Sequence, residues 1–174
     1  MNASLDKALT QLQRQLADSP YPERAADPLR LTFPIDPLRP LEWLAAISGV
    51  TRYYWADREN HFEMAGISEA AVIVPEEDAS SAFARIRREL PHHPDARFYG
   101  GFRFQPGNHR PGRWRAFADY RFILPRIECC RSGDRTHLAV NLPRGASTEE
   151  RKKAIAWIQH LRSLPERADR TAFP

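Results

Sequence analysis

Residues 122–142 read FILPRIECCRSGDRTHLAVNL, and this stretch decides the fold. Two runs within it, Arg126–Arg131 and Thr136–Leu142, are rich in apolar and β-branched residues, which is typical of strands. Between the two runs, Ser132–Arg135 contains Gly and Asp, the residues that tight turns prefer. The stretch therefore predicts an antiparallel hairpin.

On either side of this hairpin, segments with strand and helix patterns follow one another. Alternating apolar residues predict strands, whereas apolar residues at i, i+3, i+4 and i+7 predict helices. A capping box at Ser147 and Glu150 marks the start of the last helix, and Gly100–Gly101 indicates a bulge or a close backbone approach. The predicted strands are Leu29–Phe33, Thr51–Asp57, Phe62–Gly66, Ala70–Val74, Ala96–Phe104 and Phe122–Leu124, the last interrupted by Pro125, and the predicted helices are Ser4–Asp18, Asp36–Ser48, Asp78–Leu90 and 147–164. Because hairpins outnumber βαβ units, we predict an α+β fold, a mainly antiparallel sheet with flanking helices.

The composition is that of an ordinary globular protein. The chain has 174 residues, of which 42% are hydrophobic and 28% charged, and this length suggests one domain. The formal net charge of +4 is a weak indication of anionic partners. The arginines are spread along the chain instead of forming a basic stripe, so we predict no nucleic-acid partner.

Targeting and cysteine patterns favour a cytoplasmic protein. No apolar run is long enough to span a bilayer, so no membrane partner is expected. Residues 1–6 lack the basic and apolar regions of a secretory signal. Cys129 and Cys130 are adjacent in a predicted strand, where their side chains point to opposite faces, so a disulfide between them is not expected.

Motifs for catalysis or ligand binding are absent from the sequence. There is no phosphate-binding glycine loop, no dinucleotide fingerprint and no histidine pair at zinc spacing. His92–His93 is interpreted as a solvated loop pair, with metal binding as the alternative. Glu76–Asp78 is interpreted as charge that favours a helix N-terminus, with Mg²⁺ binding as the alternative. Tyr53–Trp55 could stack on bases, but alternate members are expected to face the core. From the residues we assign no catalytic, cofactor-binding or metal-binding residue.

Three segments taken together resemble the isochorismate synthases. Arg52–Arg58 (RYYWADR) is similar to an FYW-x-x-R strand of that family, and Phe62–Ile67 follows it as the hairpin return. Arg97–Phe104 (RFYGGFRF) resembles the GG-x-x-F strand of the family. Trp114–Phe117 and then Phe122–Glu128 are similar to its pattern of W, then F, then F-x-L-P-R-x-E. The order and spacing of the three segments also agree with the family.

The resemblance covers the chain from Leu29 onward and looks closest to the menaquinone-pathway or siderophore-pathway enzymes, of which the helix at Ser4–Asp18 and the helix of Trp43 favour the menaquinone type. It implies the N-terminal half of the chorismate-utilising fold, which is also that of anthranilate synthase component I. We therefore expect an N-terminal helix and linker in residues 1–28 and an α+β domain in residues 29–165. Residues 166–174 would begin a linker to a chorismate-binding domain that this sequence lacks.

In this family, water attacks one ring carbon of chorismate while the hydroxyl at another leaves, and Mg²⁺ holds a substrate carboxylate. A lysine is the general base and a glutamate the general acid, roles that poor nucleophiles and poor leaving groups require. The resemblance places these groups in the C-terminal domain, beginning with a Lys-Val-Val-Leu-Ala-Arg-like strand. Lys7, Lys152 and Lys153 are the lysines of this chain, and none lies in such a motif. The resemblance transfers no catalytic or metal residue, so we expect the chain to bind no cofactor and to be inactive alone.

The leading hypothesis is a non-catalytic N-terminal portion of an isochorismate synthase from menaquinone or siderophore biosynthesis. Its partners would be the absent chorismate-binding domain and, in the parent enzyme, chorismate. One alternative is a stand-alone scaffold or binding domain derived from this family; another is the N-terminal part of aminodeoxychorismate synthase or anthranilate synthase. A basic nucleic-acid-binding domain is a further alternative. Apolar surface that the absent domain would cover predicts self-association, through the helix of Trp157 or through sheet edges.

Overall fold

The computed structural model describes residues 3–18, 29–75, 79–90, 96–103, 118–143 and 145–163. Within these ranges, four helices and six strands follow one another in an order close to the predicted one. The helices are α1 (Ala3–Asp18), α2 (Pro40–Ala45), α3 (Ala79–Glu89) and α4 (Thr148–Ser163). The strands are β1 (Leu29–Ile35), β2 (Arg52–Ala56), β3 (Phe62–Ile73), β4 (Tyr99–Phe102), β5 (Tyr120–Ser132) and β6 (Arg135–Leu142).

All six strands form one antiparallel sheet in the order β1-β6-β5-β3-β2, with β4 also paired to β5. One edge of β5 pairs with β3, and its other edge pairs with β4 at residues 120–123 and with β6 at residues 127–132. The predicted hairpin is confirmed, since Ser132 and Arg135 are paired and Gly133 between them has a φ of +56°. The predicted α+β fold is confirmed as well.

The main core lies between the sheet and three helices. On α1, the apolar stripe at helical spacing is buried, and α2 and α4 bury further side chains beside it. In β1, Leu29, Leu31 and Phe33 pack against this core, so the intervening Arg30 and Thr32 lie on the opposite face of the sheet. At the other end, α3 packs through Ala82 in a smaller cluster with Ile73, Tyr120 and Phe122.

Pro125 does not interrupt its strand, which corrects the prediction, and Phe62–Ile73 is likewise one strand instead of two. The physical reason is a register shift in β3 between Glu69 and Ala71, where Pro125 is the partner of Glu69. A residue without an N–H is tolerated at such a bulge because the regular ladder is already broken there. The Pro125 carbonyl accepts a 2.7 Å hydrogen bond from the Asn141 side chain.

Three further elements differ from the prediction. The helix predicted at Asp36–Ser48 is only Pro40–Ala45, because a residue before proline is driven out of the helical region and Arg39 is extended (φ −81°, ψ 113°). The strand predicted at Ala96–Phe104 is only Tyr99–Phe102. Of the expected capping box, the Glu150 N–H does donate to the Ser147 hydroxyl at 3.3 Å. The Glu150 carboxylate binds Arg126 and Lys153 instead of reaching back.

Two sequence-based expectations about single residues are confirmed. A Cβ at Gly100 would lie 1.9 Å from the Arg121 carbonyl oxygen, so the chain approaches β5 closely there. Cys129 and Cys130 are free and buried. Within the described ranges, no helix is long and apolar enough to cross a membrane.

Candidate functional site

A buried ion pair occupies the middle of the sheet face opposite the helices. Glu128 on β5 is fully buried, and its carboxylate accepts a hydrogen bond from Arg30 Nη1 on β1. The Arg30 side chain is 5% exposed. Asn141 of the intervening β6 connects the two residues. Its Nδ2 donates to Glu128 at 2.7 Å, and its Oδ1 accepts from Arg30 at 2.9 Å. This arrangement satisfies the charges, as buried ions require.

Two further groups complete the surroundings of the Glu128 carboxylate. The Tyr99 hydroxyl on β4 and the Cys130 thiol each donate to Oε2 over 3.4 Å. Burial, followed by the nearby Glu128 charge, raises the pKa of both Tyr99 and Cys130. Burial lowers the pKa of Arg30, but the Glu128 carboxylate and its neighbours outweigh burial and hold that pKa above its ordinary value. Around neutral pH, therefore, Arg30 is charged while Tyr99 and Cys130 are protonated.

A cleft of about 680 Å³ opens on this same face, between β1, the β5–β6 hairpin and the segment that leads into β4. Arg30, Tyr99 and Cys130 from the network contribute to its lining. Arg97 and Arg135 add positive charge to the walls. The cleft is thus a concave, partly cationic site that borders the buried pair.

A second polar cluster lies on β2, β3 and β5. Glu69 accepts a hydrogen bond from the Tyr53 hydroxyl and another from Arg121 at 2.7 Å. Burial, and then the hydrogen bond to Glu69, raises the pKa of Tyr53 to about 12. Since the Glu69 and Arg121 charges are paired with each other, we interpret the cluster as a tie between strands.

The aromatic run on β2 is not buried in the core, although Tyr54 is paired with the core residue Ala65 and so lies on the core face of the sheet. Tyr54 and Trp55 are 43% and 44% exposed, and Tyr53 is half-buried. The cause is polar anchoring: the Tyr54 hydroxyl donates to Glu63 at 3.0 Å, as that of Tyr53 does to Glu69. The three rings lie on β2, which is an edge strand of the sheet.

The other residues considered from the sequence form no site in the described parts of the chain. His92–His93 and Glu76–Asp78 lie outside those parts. Lys153 is on α4, paired with Glu150 at 2.9 Å. No three His, Cys, Asp or Glu side chains of the described residues are grouped so that they could hold a metal ion. The described residues thus do not fit the Mg²⁺ that the resemblance implies.

The sequence-based reasoning missed the Arg30–Glu128–Asn141 network. A usable signal was present, because Glu128 is a charged residue between the apolar Ile127 and Cys129 in a strand that is buried almost throughout. A charge in such a strand needs a partner, and Arg30 and Asn141 both lie in predicted strands. The sheet order that brings them together is not visible in the sequence.

Comparison with known proteins agrees with this fold. A family model described as chorismate binding enzyme matches residues 14–173. No curated protein sequence matches the chain. Among solved structures, the menaquinone-specific isochorismate synthase from Escherichia coli is similar, with a TM-score of 0.69 and 23% identity. The match covers 95% of this chain and 36% of that one, so this chain spans about a third of that enzyme and shares its fold. Since the family model spans nearly the whole sequence, the chain belongs to the chorismate binding enzyme family.

Proposed function

We propose that this chain is the N-terminal, non-catalytic portion of an isochorismate synthase of the menaquinone type. In this proposal it forms one sheet layer of the enzyme, and the chorismate-binding half packs against it. The parent enzyme would convert chorismate to isochorismate with Mg²⁺ bound in the other half. The solved neighbour supports the menaquinone type, because it is described as menaquinone-specific.

The proposal rests on one observation: in the motifs that resemble isochorismate synthases, the residues make contacts that hold the fold together. Gly100 of the GG-x-x-F segment allows β4 to approach β5. Arg126 of the F-x-L-P-R-x-E segment is 6% exposed and ties Glu150 on α4 to the Glu69 carbonyl on β3. Glu128 of the same segment is enclosed by Arg30 and Asn141. Groups saturated in this way hold a fold together and are not available to a substrate.

The distribution of the helices supports a partner on the opposite face. The core between the sheet and α1, α2 and α4 accounts for one face of β1, β6 and the adjoining halves of β5 and β3. Domains of this kind consist of two or three packed layers. The opposite face, with its cleft and buried ion pair, is where we propose that the catalytic half packs.

The chemistry of the reaction is consistent with this division. A hydroxyl transfer on chorismate needs a general base for water and a general acid for the leaving hydroxyl. Lys153, a lysine on a described helix, is already paired with Glu150, and Glu128 is buried against Arg30. We therefore propose that the acid and the base come from the other half.

The test is an assay for chorismate-to-isochorismate conversion with Mg²⁺. It compares the 174-residue chain with the same chain extended through its genomic reading frame. We expect turnover only in the extended protein. Turnover by the shorter chain alone would contradict the proposal, and inactivity of both would favour the stand-alone scaffold.

A further inference from the structure

The cleft on the face opposite the helices has an excess of positive charge. Arg97 and Arg135 line it, and among its described lining residues Asp134 is the carboxylate that opposes them. The charge of Arg30, which also lines the cleft, is matched by Glu128. The guanidinium of Arg97 lies 4.3 Å from the centre of the Phe62 ring, a cation–π contact that leaves the charge available to an anion.

An unsatisfied donor lies at the same place. Arg30 Nε is buried and has no hydrogen-bond acceptor among the described residues, although Nη1 of the same side chain has two. Buried donors are nearly always paired in folded proteins, so each exception calls for an explanation. An acceptor that enters the cleft beside Arg30 would explain this one.

The shape and walls of the cleft suit a small group that is anionic at one end. Its volume of about 680 Å³ lies within the range of ligand sites. Phe62 and Tyr99 provide aromatic walls, and Trp55 lies just behind them, with ring centroids at 5.8 and 6.5 Å. Guanidinium groups bind carboxylates through paired hydrogen bonds, which gives geometric specificity as well as charge.

We propose that this cleft is a carboxylate-binding site, with Arg97 and Arg135 as its charged contacts and Arg30 at its base. The carboxylate can come from a free organic acid or from an acidic side chain of a polypeptide that packs on this face. The inference goes beyond the proposed function, because it concerns binding by this chain alone. It needs no chorismate turnover.

The first experiment titrates the ¹⁵N-labelled chain with benzoate, an aromatic carboxylate, and with benzamide, its neutral counterpart. The indole N–H resonance of Trp55 and the backbone resonances around the β5–β6 turn report binding. We expect saturable shifts with benzoate and at least about tenfold weaker binding of benzamide, the loss typical of one charge-assisted hydrogen bond. Equal affinity for the two probes would overturn the proposal.

Variants then locate the site. The double variant Arg97→Gln/Arg135→Gln removes both exposed charges, and we expect it to bind benzoate about tenfold more weakly or worse. The matched control is Arg14→Gln on α1, an exposed arginine paired with Asp18 far from the cleft. It should bind like the unmodified chain. Unchanged affinity in the double variant, with its spectrum otherwise intact, would refute the assignment.

A second arm separates the two sources of the carboxylate. The peptide Gly-Glu-Gly-Glu-Gly is compared with Gly-Gln-Gly-Gln-Gly in the same titration. Tighter binding of the acidic peptide than of benzoate supports a polypeptide source, and binding of benzoate alone supports a free acid. If neither probe produces saturable shifts, the inference fails, whereas the proposed function is decided separately by the turnover assay.

Discussion

Replacing Glu128 with glutamine tests whether the Arg30–Glu128 ion pair is as inaccessible to solvent as the structure shows. The substitution keeps the shape of the side chain and removes its charge, which leaves the Arg30 guanidinium, 5% exposed, without a counterion. Breaking a buried pair in this way typically costs about 3–5 kcal/mol. Because domains of this size are stable by only about 5–15 kcal/mol, the free energy of unfolding should fall by a large fraction.

A second substitution separates the unfolding free energy lost to the unpaired Arg30 charge from the free energy lost with the hydrogen bonds. Arg30→Met in the Glu128→Gln background removes the stranded charge, and the introduced glutamine amide can still exchange hydrogen bonds with Asn141. We expect the double variant to recover to within about 1–2 kcal/mol of the original chain, since neutral replacements of buried pairs are well tolerated. The single variant Arg30→Met strands the Glu128 charge in the same way and should also cost about 3–5 kcal/mol. The interaction free energy between the two positions would then be at least about 4 kcal/mol.

The assay is urea unfolding followed by circular dichroism, with the slope on urea checked for constancy across the variants. Glu42→Gln is the matched control. It breaks an ion pair with Arg39 whose side chains are 63% and 74% exposed, and such pairs contribute less than about 1 kcal/mol. If Glu128→Gln costs no more than this control, the ion pair is solvated in solution and the reasoning about the sheet face is refuted.

Three other substitutions or treatments give further checks. Gly100→Ala should destabilise the chain by roughly 1–3 kcal/mol in urea unfolding, because the added Cβ would meet the β5 backbone. Gly101→Ala is the control, since the space around Gly101 is open, and it should be neutral or slightly stabilising. Similar values for the two variants would contradict the close approach of β4 to β5. Burial raises the pKa of Glu150, but hydrogen bonds from Lys153 and Arg126 outweigh burial and hold this pKa below its ordinary value. The contribution of Glu150 to stability is therefore present above about pH 4.5 and is lost as the pH falls further. Glu150→Gln should therefore flatten the acid limb of stability against pH, and the exposed neighbour variant Glu149→Gln should leave it steep. Burial raises the pKa of Cys129 to about 12, so a thiol reagent should label it only after urea unfolding; rapid labelling of the folded chain would show that the strand opens.

Local signals in the sequence predicted those parts of the fold that depend on neighbouring residues. The stripe on α1, the Gly133 turn and the Gly100 approach each follow from a spacing or a glycine that a short window shows. The start of α2 could have been found the same way, since Pro40 excludes Arg39 from the helix. The restriction on residues that precede proline is local too, and it outweighs the apolar periodicity of Asp36–Ser48.

Features that depend on distant strands could not be predicted in this way. Pro125 lies within β5 without interrupting the strand, because a register shift in β3, far earlier in the chain, lies opposite it. Arg30 reaches Glu128 across β6, and the pair is separated by 98 residues in sequence. The sequence shows that a charge lies in an apolar strand, but the identity of its partner follows only from the order β1-β6-β5.

The burial of Glu128 also bears on what packs against this sheet. A charge that its own sheet and Tyr99 already enclose needs nothing from a covering layer. The rim of the cleft differs, because Arg97 and Arg135 are exposed there and Asp134 is the one carboxylate among the described lining residues. A purely apolar cover would desolvate those two charges at a cost of about several kcal/mol each. A layer that packs on this face must therefore either bring carboxylates to the rim or leave the cleft open to a small acid, and the peptide and benzoate titrations distinguish these two arrangements.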